Sequence, residues 1–152
     1  MSSLFYEFLN DDELLRISSA IKEMEKISSG EIVVSIKEKR GLLQKRKTVK
    51  QLAIEEFRRL GINKTRDKTG ILLYILLKDR EFHVFADDGI HSIVGDTTWE
   101  EIKDLLLQFF RDGEFCQGIV AAVSRIGAVL SAHFPIKPDD TNEISNRVIV
   151  RP

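Results

Sequence analysis

Cysteine is almost absent from this chain of 152 residues, where Cys116 is the only one. No intrachain disulfide can form, so the signature of an oxidising compartment is missing, as is any zinc-type cysteine cluster. A surplus of one charge is lacking too. Lys and Arg number 23 and Asp and Glu 24, a formal net of −1, which argues against a protein that is basic overall and coats nucleic acid. Long hydrophobic runs are missing. The longest, Ile71 to Leu77 and Ile119 to Val123, fall far short of the roughly 20 residues that cross a bilayer. The first residues, Met1 to Glu7, hold neither a basic region nor a long apolar core. No secretory signal is therefore expected, and the cytoplasm is the expected compartment. EF-hand spacing, a P-loop, a Cys-x5-Arg loop, a paired-Asp phosphatase signature and a serine in a nucleophile elbow are likewise not found.

What is present suits one α/β domain. The chain is 43% hydrophobic and 31% charged, ordinary values for a folded domain of this length. Asn10 is a good N-cap with Glu13 three residues on, and Leu14, Ile17, Ile21 and Met24 then mark one helix face. Ser28-Ser29-Gly30 stops that helix. Glu31 to Ile36 is a β-branched strand whose near-continuous apolarity implies cover on both faces, as in a layered α/β fold. Residues 37–50 form a basic loop leading into a helix with Val49, Leu52, Ala53, Glu56, Phe57 and Leu60 at helical spacing, ended by Gly61. A polar loop, Lys64 to Gly70, precedes a buried-strand candidate at Ile71 to Leu77. Phe82 to Ala86 is a third strand, and the two make an antiparallel hairpin. After Asp87-Asp88-Gly89, residues 90–96 allow a short helical turn. Thr97 or Thr98 is the expected cap of a helix through Trp99, Ile102, Leu105, Leu106, Phe109 and Phe110. A last helix, about Phe115 to Phe134, ends at Pro135 and Pro138. The domain is assigned to residues 1–138. Residues 139–152 are a tail, polar until Val148-Ile149-Val150; a docked arm and a free end both remain open.

Several of these segments together resemble the TPM domain family. Ser29-Gly30-Glu31-Ile32-Val33-Val34 resembles its first strand. Phe57, Leu60-Gly61, Thr65, Asp67 and Gly70-Ile71-Leu72 are similar to its next stretch, and Asp79-Arg80-Glu81-Phe82 to its hairpin turn. Asp88-Gly89-Ile90 with Trp99, and Phe110, Gly113, Phe115, Gly118 and Ile126-Gly127, are similar to its closing segments. The likeness spans about residues 10 to 135. It implies a three-layer α/β/α sandwich with a small mixed β-sheet, and phosphatase activity or calcium binding as reported for some members. Many members carry a signal peptide and a membrane helix, so this chain is expected to fall in the stand-alone soluble branch, which the tail at Asp139 to Glu143 also resembles. Two departures stand out: Ala86 where Gly is common, and the charge-rich segment 37–50.

Chemistry is expected at one edge of the sheet. A two-residue turn at Asp79-Arg80 would pair Lys78 with Glu81, Leu72 with Asp87 and Ile71 with Asp88. If the strand from Glu31 runs parallel to that from Ile71, joined by the helix around Ala53, its start lies at the same edge. Glu31, Asp67, Asp87 and Asp88 then converge as a candidate metal site. Clustered carboxylates without cysteine suit Ca²⁺ or Mg²⁺ better than Zn²⁺, and without a cation they would repel one another. Two readings stay open here, since the same acids also serve as turn and cap residues beside Gly70 and Gly89. For hydrolysis, Asp87 or Asp88 would be the nucleophile or the base that positions water. His83 and His91 are read as surface or packing residues, with His91 a further candidate for the acidic site. His133 is read as a helix C-terminal residue whose charge suits the dipole, Cys116 as an inert core residue, and Trp99, Phe109 and Phe110 as core.

The expected function is a divalent-cation-binding interaction domain, with Ca²⁺ or Mg²⁺ as the cofactor. The alternatives are a metal-assisted phosphomonoester hydrolase of weak acid-phosphatase type and a metal-free structural module that binds a protein. A protein or a phosphate-containing ligand is the expected partner, with no nucleic acid and no membrane span. The net −1 conceals two opposed segments. Residues 37–50 carry seven bases and one acid, or +6, and residues 87–104 carry six acids and one base, or −5. The basic run is read as a solvated loop, with phosphates, acidic lipid headgroups or an acidic protein as candidate ligands.

Overall fold

Two strands at the centre are buried along both faces, and the rest of the chain is arranged to cover them. In the computed structural model, which describes residues 3–65, 67–136 and 148–152, β1 (Glu31–Lys37) and β2 (Gly70–Leu76) pair in parallel, from Glu31 opposite Gly70 to Lys37 opposite Leu76. They are joined through α3 (Val49–Arg59). The third strand, β3 (Glu81–Ala86), runs antiparallel to β2. β4 (Val148–Arg151) runs parallel to β1, with Val34 opposite Val148. The sheet order is β3-β2-β1-β4, a small mixed sheet. The tail therefore ends as a docked strand. Its polar stretch at 139–143 and Pro138 lie outside the described residues.

Alternation along the strands sorts side chains into two cores. Ile32, Val34, Ile36, Ile71, Leu73 and Ile75 face a layer built from α1 (Ser3–Phe8), α2 (Asp11–Glu25), α5 (Asp96–Arg111) and α6 (Phe115–His133). Val33, Leu72, Tyr74 and Leu76 face α3 through Leu52, Ala53 and Phe57. Three layers result, α/β/α. Each fully buried Ile or Leu contributes about 1.5–3 kcal/mol, so the larger core supplies most of the cohesion.

Local chemistry sets most of the boundaries. The capping box on α2 forms as expected: the Glu13 amide donates to Asn10 Oδ1 at 2.8 Å, and the Asn10 amide to Glu13 Oε1 at 3.1 Å. Thr48 and Gln51 make an equivalent box at the start of α3, and Gly61, at φ 74°, ends it. α6 is 19 residues long and apolar enough, by length and composition, to cross a membrane, but half of it is buried in the domain, packed on α2 and α5 as a core helix. Close approach is needed there, since a Cβ at Gly127 would lie 2.7 Å from Met24 Cβ.

Two local expectations are corrected. The hairpin does not turn in two residues, and Lys78 does not pair with Glu81. Leu76 pairs with Glu81, Leu72 with Phe85 and Ile71 with Ala86, so Leu72–Asp87 and Ile71–Asp88 are not partners. The cause is at the far end of β1. The amides of Leu77 and Lys78 donate to Lys37 O at 3.0 Å and Glu38 O at 2.8 Å, which carries β2's backbone on beside β1 before the chain reverses. Arg80 closes the longer turn in the left-handed region, at φ 53°. The second correction is the start of α5. It begins at Asp96 with Gly95 as N-cap, and the Thr98 amide already donates to Gly95 O, which puts Thr97 and Thr98 inside the first turn. The turn before it is pinned at both ends by buried Ile90 and Val94, where the Val94 amide donates to Ile90 O at 2.9 Å, and this sets the earlier start. The sequence also left α1 unassigned; it delivers Phe5 to the larger core.

Candidate functional site

The edge where β1 and β2 begin is assembled from main-chain contacts. The Glu31 amide donates to Thr69 O at 3.0 Å, and the Asp87 amide to Gly70 O at 2.9 Å. Asp87 thus lies level with Gly70, one position past the last β3 pair. It caps a short helical turn, α4 (Asp88–His91), with its Oδ1 accepting from the Asp88 amide at 2.8 Å. The α4 turn then presses onto the loop before β2. A Cβ at Gly89 would collide with the carbonyl oxygen of Asp67 and come within 2.5 Å of that of Lys68. Only glycine fits there. Lys68 itself is left-handed, at φ 56°.

The backbones of Glu31, Asp67, Asp87 and Asp88 are therefore gathered at one edge. Their side chains divide. Glu31 and Asp87 are buried, at 5% and 8% exposure, whereas Asp67 and Asp88 are exposed. Asp87 Oδ2 is buried and has no hydrogen-bond partner among the described residues. A buried carboxylate oxygen in that condition carries a desolvation cost of about 1–3 kcal/mol or more. Among the described residues, no group of three or more His, Cys, Asp or Glu side chains is arranged to hold a metal ion. His91 is exposed on α4. The four acidic side chains offer only oxygen as donor atoms.

A second polar centre lies under α3, where Glu56 is buried on the helix's apolar face. Its Oε2 accepts from Ser35 Oγ at 2.6 Å and from Arg151 Nε at 3.2 Å, and Arg59 donates to Oε1. Burial alone would raise its pKa. Hydrogen bonds from Ser35 and Arg59 and the charges of Arg59 and Arg151 outweigh it and hold the carboxyl below its ordinary value. Tyr74 beside it is pushed up to about 12, first by burial and then by the Glu56 charge. This network ties β4 to α3. The signal for it was an acid at an apolar helical spacing, which the periodicity placed inward without identifying its partners. The remaining candidates are quiet. Burial raises the Cys116 thiol pKa and lowers that of half-buried His83, and His133 is exposed.

Comparison with known proteins gives the class. The TPM domain profile matches residues 4–129, and the chain belongs to the TPM domain family. Among solved structures, it is similar to the BA42 protein of the psychrophilic bacterium Bizionia argentinensis, with 31% identity, a TM-score of 0.84, and 94% of this chain and 95% of that one covered. The N-terminal domain of a P. gingivalis protein shares the fold at 18% identity and a TM-score of 0.68, covering 84% of this chain and 79% of that one. So does the N-terminal domain of the cg2496 protein of Corynebacterium glutamicum, at 9% identity and a TM-score of 0.62, covering 89% and 81%. No curated protein sequence matches the chain significantly.

Proposed function

We propose that this TPM domain is a divalent-cation-binding interaction domain, with Asp87 as the anchor of a Ca²⁺ or Mg²⁺ site at the acidic edge. The observation that carries this is Asp87 Oδ2, a buried carboxylate oxygen with no hydrogen-bond partner among the described residues. A hard cation would balance the charge of that oxygen and replace its lost hydration. Asp88 would be the second donor, with Glu31 and Asp67 reaching the ion from the start of β1 and from the loop. Bound there, the ion would neutralise the acidic edge and orient a partner's oxygen ligands. Metal-assisted hydrolysis of a phosphomonoester is the second use of the same acids, through water held near Asp87 or Asp88. The compartment we propose is the cytoplasm.

Titration of the protein with Ca²⁺ and then Mg²⁺, followed by amide NMR, is the test. We expect localised shifts at Asp67 and from Asp87 to Gly89, lost in Asp87→Asn, which keeps the cap but removes the charge. No localised shift at millimolar cation would sink the cation site. Turnover of an aryl phosphate that disappears in both Asp87→Asn and Asp88→Asn would add the hydrolase activity. Turnover unchanged in both would assign it elsewhere.

A further inference from the structure

At the opposite end of the sheet, beyond Lys37, the chain builds a projecting loop. Its frame is internally braced. Arg40, largely buried, donates from Nε to Lys47 O at 3.1 Å across the base of the loop. Its Nη1 reaches Asp79 at 2.5 Å and Glu81 at 2.8 Å in the β2–β3 connection. At the tip, Leu42–Gln44 forms a single 3₁₀ turn closed by Gln44, whose Oε1 accepts from the Gly41 amide at 2.8 Å. Lys47 pairs with Glu55 on α3.

This bracing holds two leucines out of the protein. Leu42 is 85% exposed and Leu43 94%, the two most exposed large apolar side chains among the described residues. Isolated exposed leucines are unremarkable on protein surfaces, but an adjacent pair on a capped tip is a different matter. Around the tip stand Lys39, Lys45, Arg46 and Lys78, all exposed and without an ion pair among the described residues. Of the acids nearby, Asp79, Glu81 and Glu55 are engaged by Arg40 and Lys47, and Glu38 is buried. Lys39, Arg40, Lys45 and Lys78 line a cleft of about 560 Å³ between the loop and the β2–β3 connection, together with Leu42 and Asp79, whose charge Arg40 already meets.

We propose that this loop is a docking element for an anionic lipid bilayer, with Leu42 and Leu43 entering the acyl region and the surrounding lysines and Arg46 meeting the headgroup phosphates. The order of the chemistry matches the order of a bilayer: an apolar tip, a ring of cations behind it, and a basic cleft wide enough for a headgroup. A protein partner would need a groove to receive the tip, whereas a bilayer accepts a convex one. Two leucines and a few cations make a weak attachment, so association through this loop is reversible and salt-sensitive.

The test is co-sedimentation of the full chain with vesicles of phosphatidylcholine alone and of phosphatidylcholine with phosphatidylglycerol. Run in EDTA, it is independent of the acidic edge. We expect binding to the anionic vesicles only, weakening as salt rises. The double change Leu42→Ser with Leu43→Ser should weaken it at least roughly tenfold. Lys45→Ala and Arg46→Ala should each weaken it about fivefold. All four side chains are exposed, so an unchanged melting curve accompanies each loss. No binding to anionic vesicles overturns the proposal. So does binding indifferent to the leucine change, which is bare charge attraction. Capture by polyglutamate that matches capture by the vesicles and ignores the leucine change also overturns it, and assigns the loop to an acidic protein.

Discussion

Where β1 and β2 begin, the structure is held by main chain against main chain: Gly89 against the carbonyls of Asp67 and Lys68, and Asp87 buried beside Gly70. Where the two strands finish, main-chain bonds carry the sheet on to Lys78, and the loop projecting beyond it is braced by side chains, with Arg40 bridging to Asp79 and Glu81, and Gln44 closing a turn whose leucines face solvent. The acidic end buries polar groups and has no slack. The basic end exposes apolar groups and has space around them. Both run against the ordinary preference for apolar inside and polar outside, and such inversions are where function is sought. The difference also says how each end fails. A close-packed backbone contact fails abruptly when an atom is added, whereas a braced loop fails gradually as braces are removed.

The largest effect is expected at the acidic end. Gly89→Ala places a methyl group against two main-chain carbonyls that cannot rotate away. We expect a loss of about 2–3 kcal/mol in urea unfolding, with faster amide exchange from Asp67 to Lys68 and along α4. A stability within ~0.5 kcal/mol of the parent would show that the loop yields, and the contrast between the ends would fall with it.

Next in size is Glu56, whose network joins α3 and β4. Arg59 and Arg151 are part-exposed, so Glu56→Gln is expected to cost only about 1 kcal/mol near neutral pH. The sign with pH follows from the lowered pKa. Its contribution is full above the ordinary carboxylate value of 4.5 and is lost as pH falls through the lower folded-state value. The gap between parent and variant should therefore close as the medium is made more acidic than that folded value. A gap that persists unchanged would mean the bonds to the Glu56 oxygens, rather than its charge, hold β4.

What could be read from residues alone divides along the same line. The Asn10–Glu13 box, the two apolar central strands and the Gly61 stop were legible because each depends on a few neighbouring residues. Convergence of the four acidic positions was legible at the level of the backbone, through the parallel crossover. The hairpin register was not, because it is decided by Leu77 and Lys78 bonding to the end of β1, some 40 residues away, and by Arg80 taking a left-handed conformation without being glycine. β4 was only one of two options, since Val148 to Arg151 becomes a strand by pairing with β1. In the candidate site, burial of Asp87 beside exposure of Asp88 depends on how α4 seats against the 67–68 carbonyls, which no local pattern encodes.

The smallest expected effect is the one that sharpens the contrast most. Gly41 precedes the exposed leucines, has a φ of −72°, and offers a Cβ nothing nearer than Gln44 Oε1 at 3.4 Å, the end of a flexible side chain. Alanine can adopt that backbone without strain and restricts the unfolded chain, so Gly41→Ala should change stability by less than ~0.5 kcal/mol, with a slight gain the favoured sign. Measured beside Gly89→Ala, the same added methyl group then gives effects several-fold apart at the two ends of one sheet. A large loss at Gly41 would mean that the loop is as tightly packed as the acidic edge, and that Leu42 and Leu43 are held by more than the Gln44 cap and the Arg40 brace.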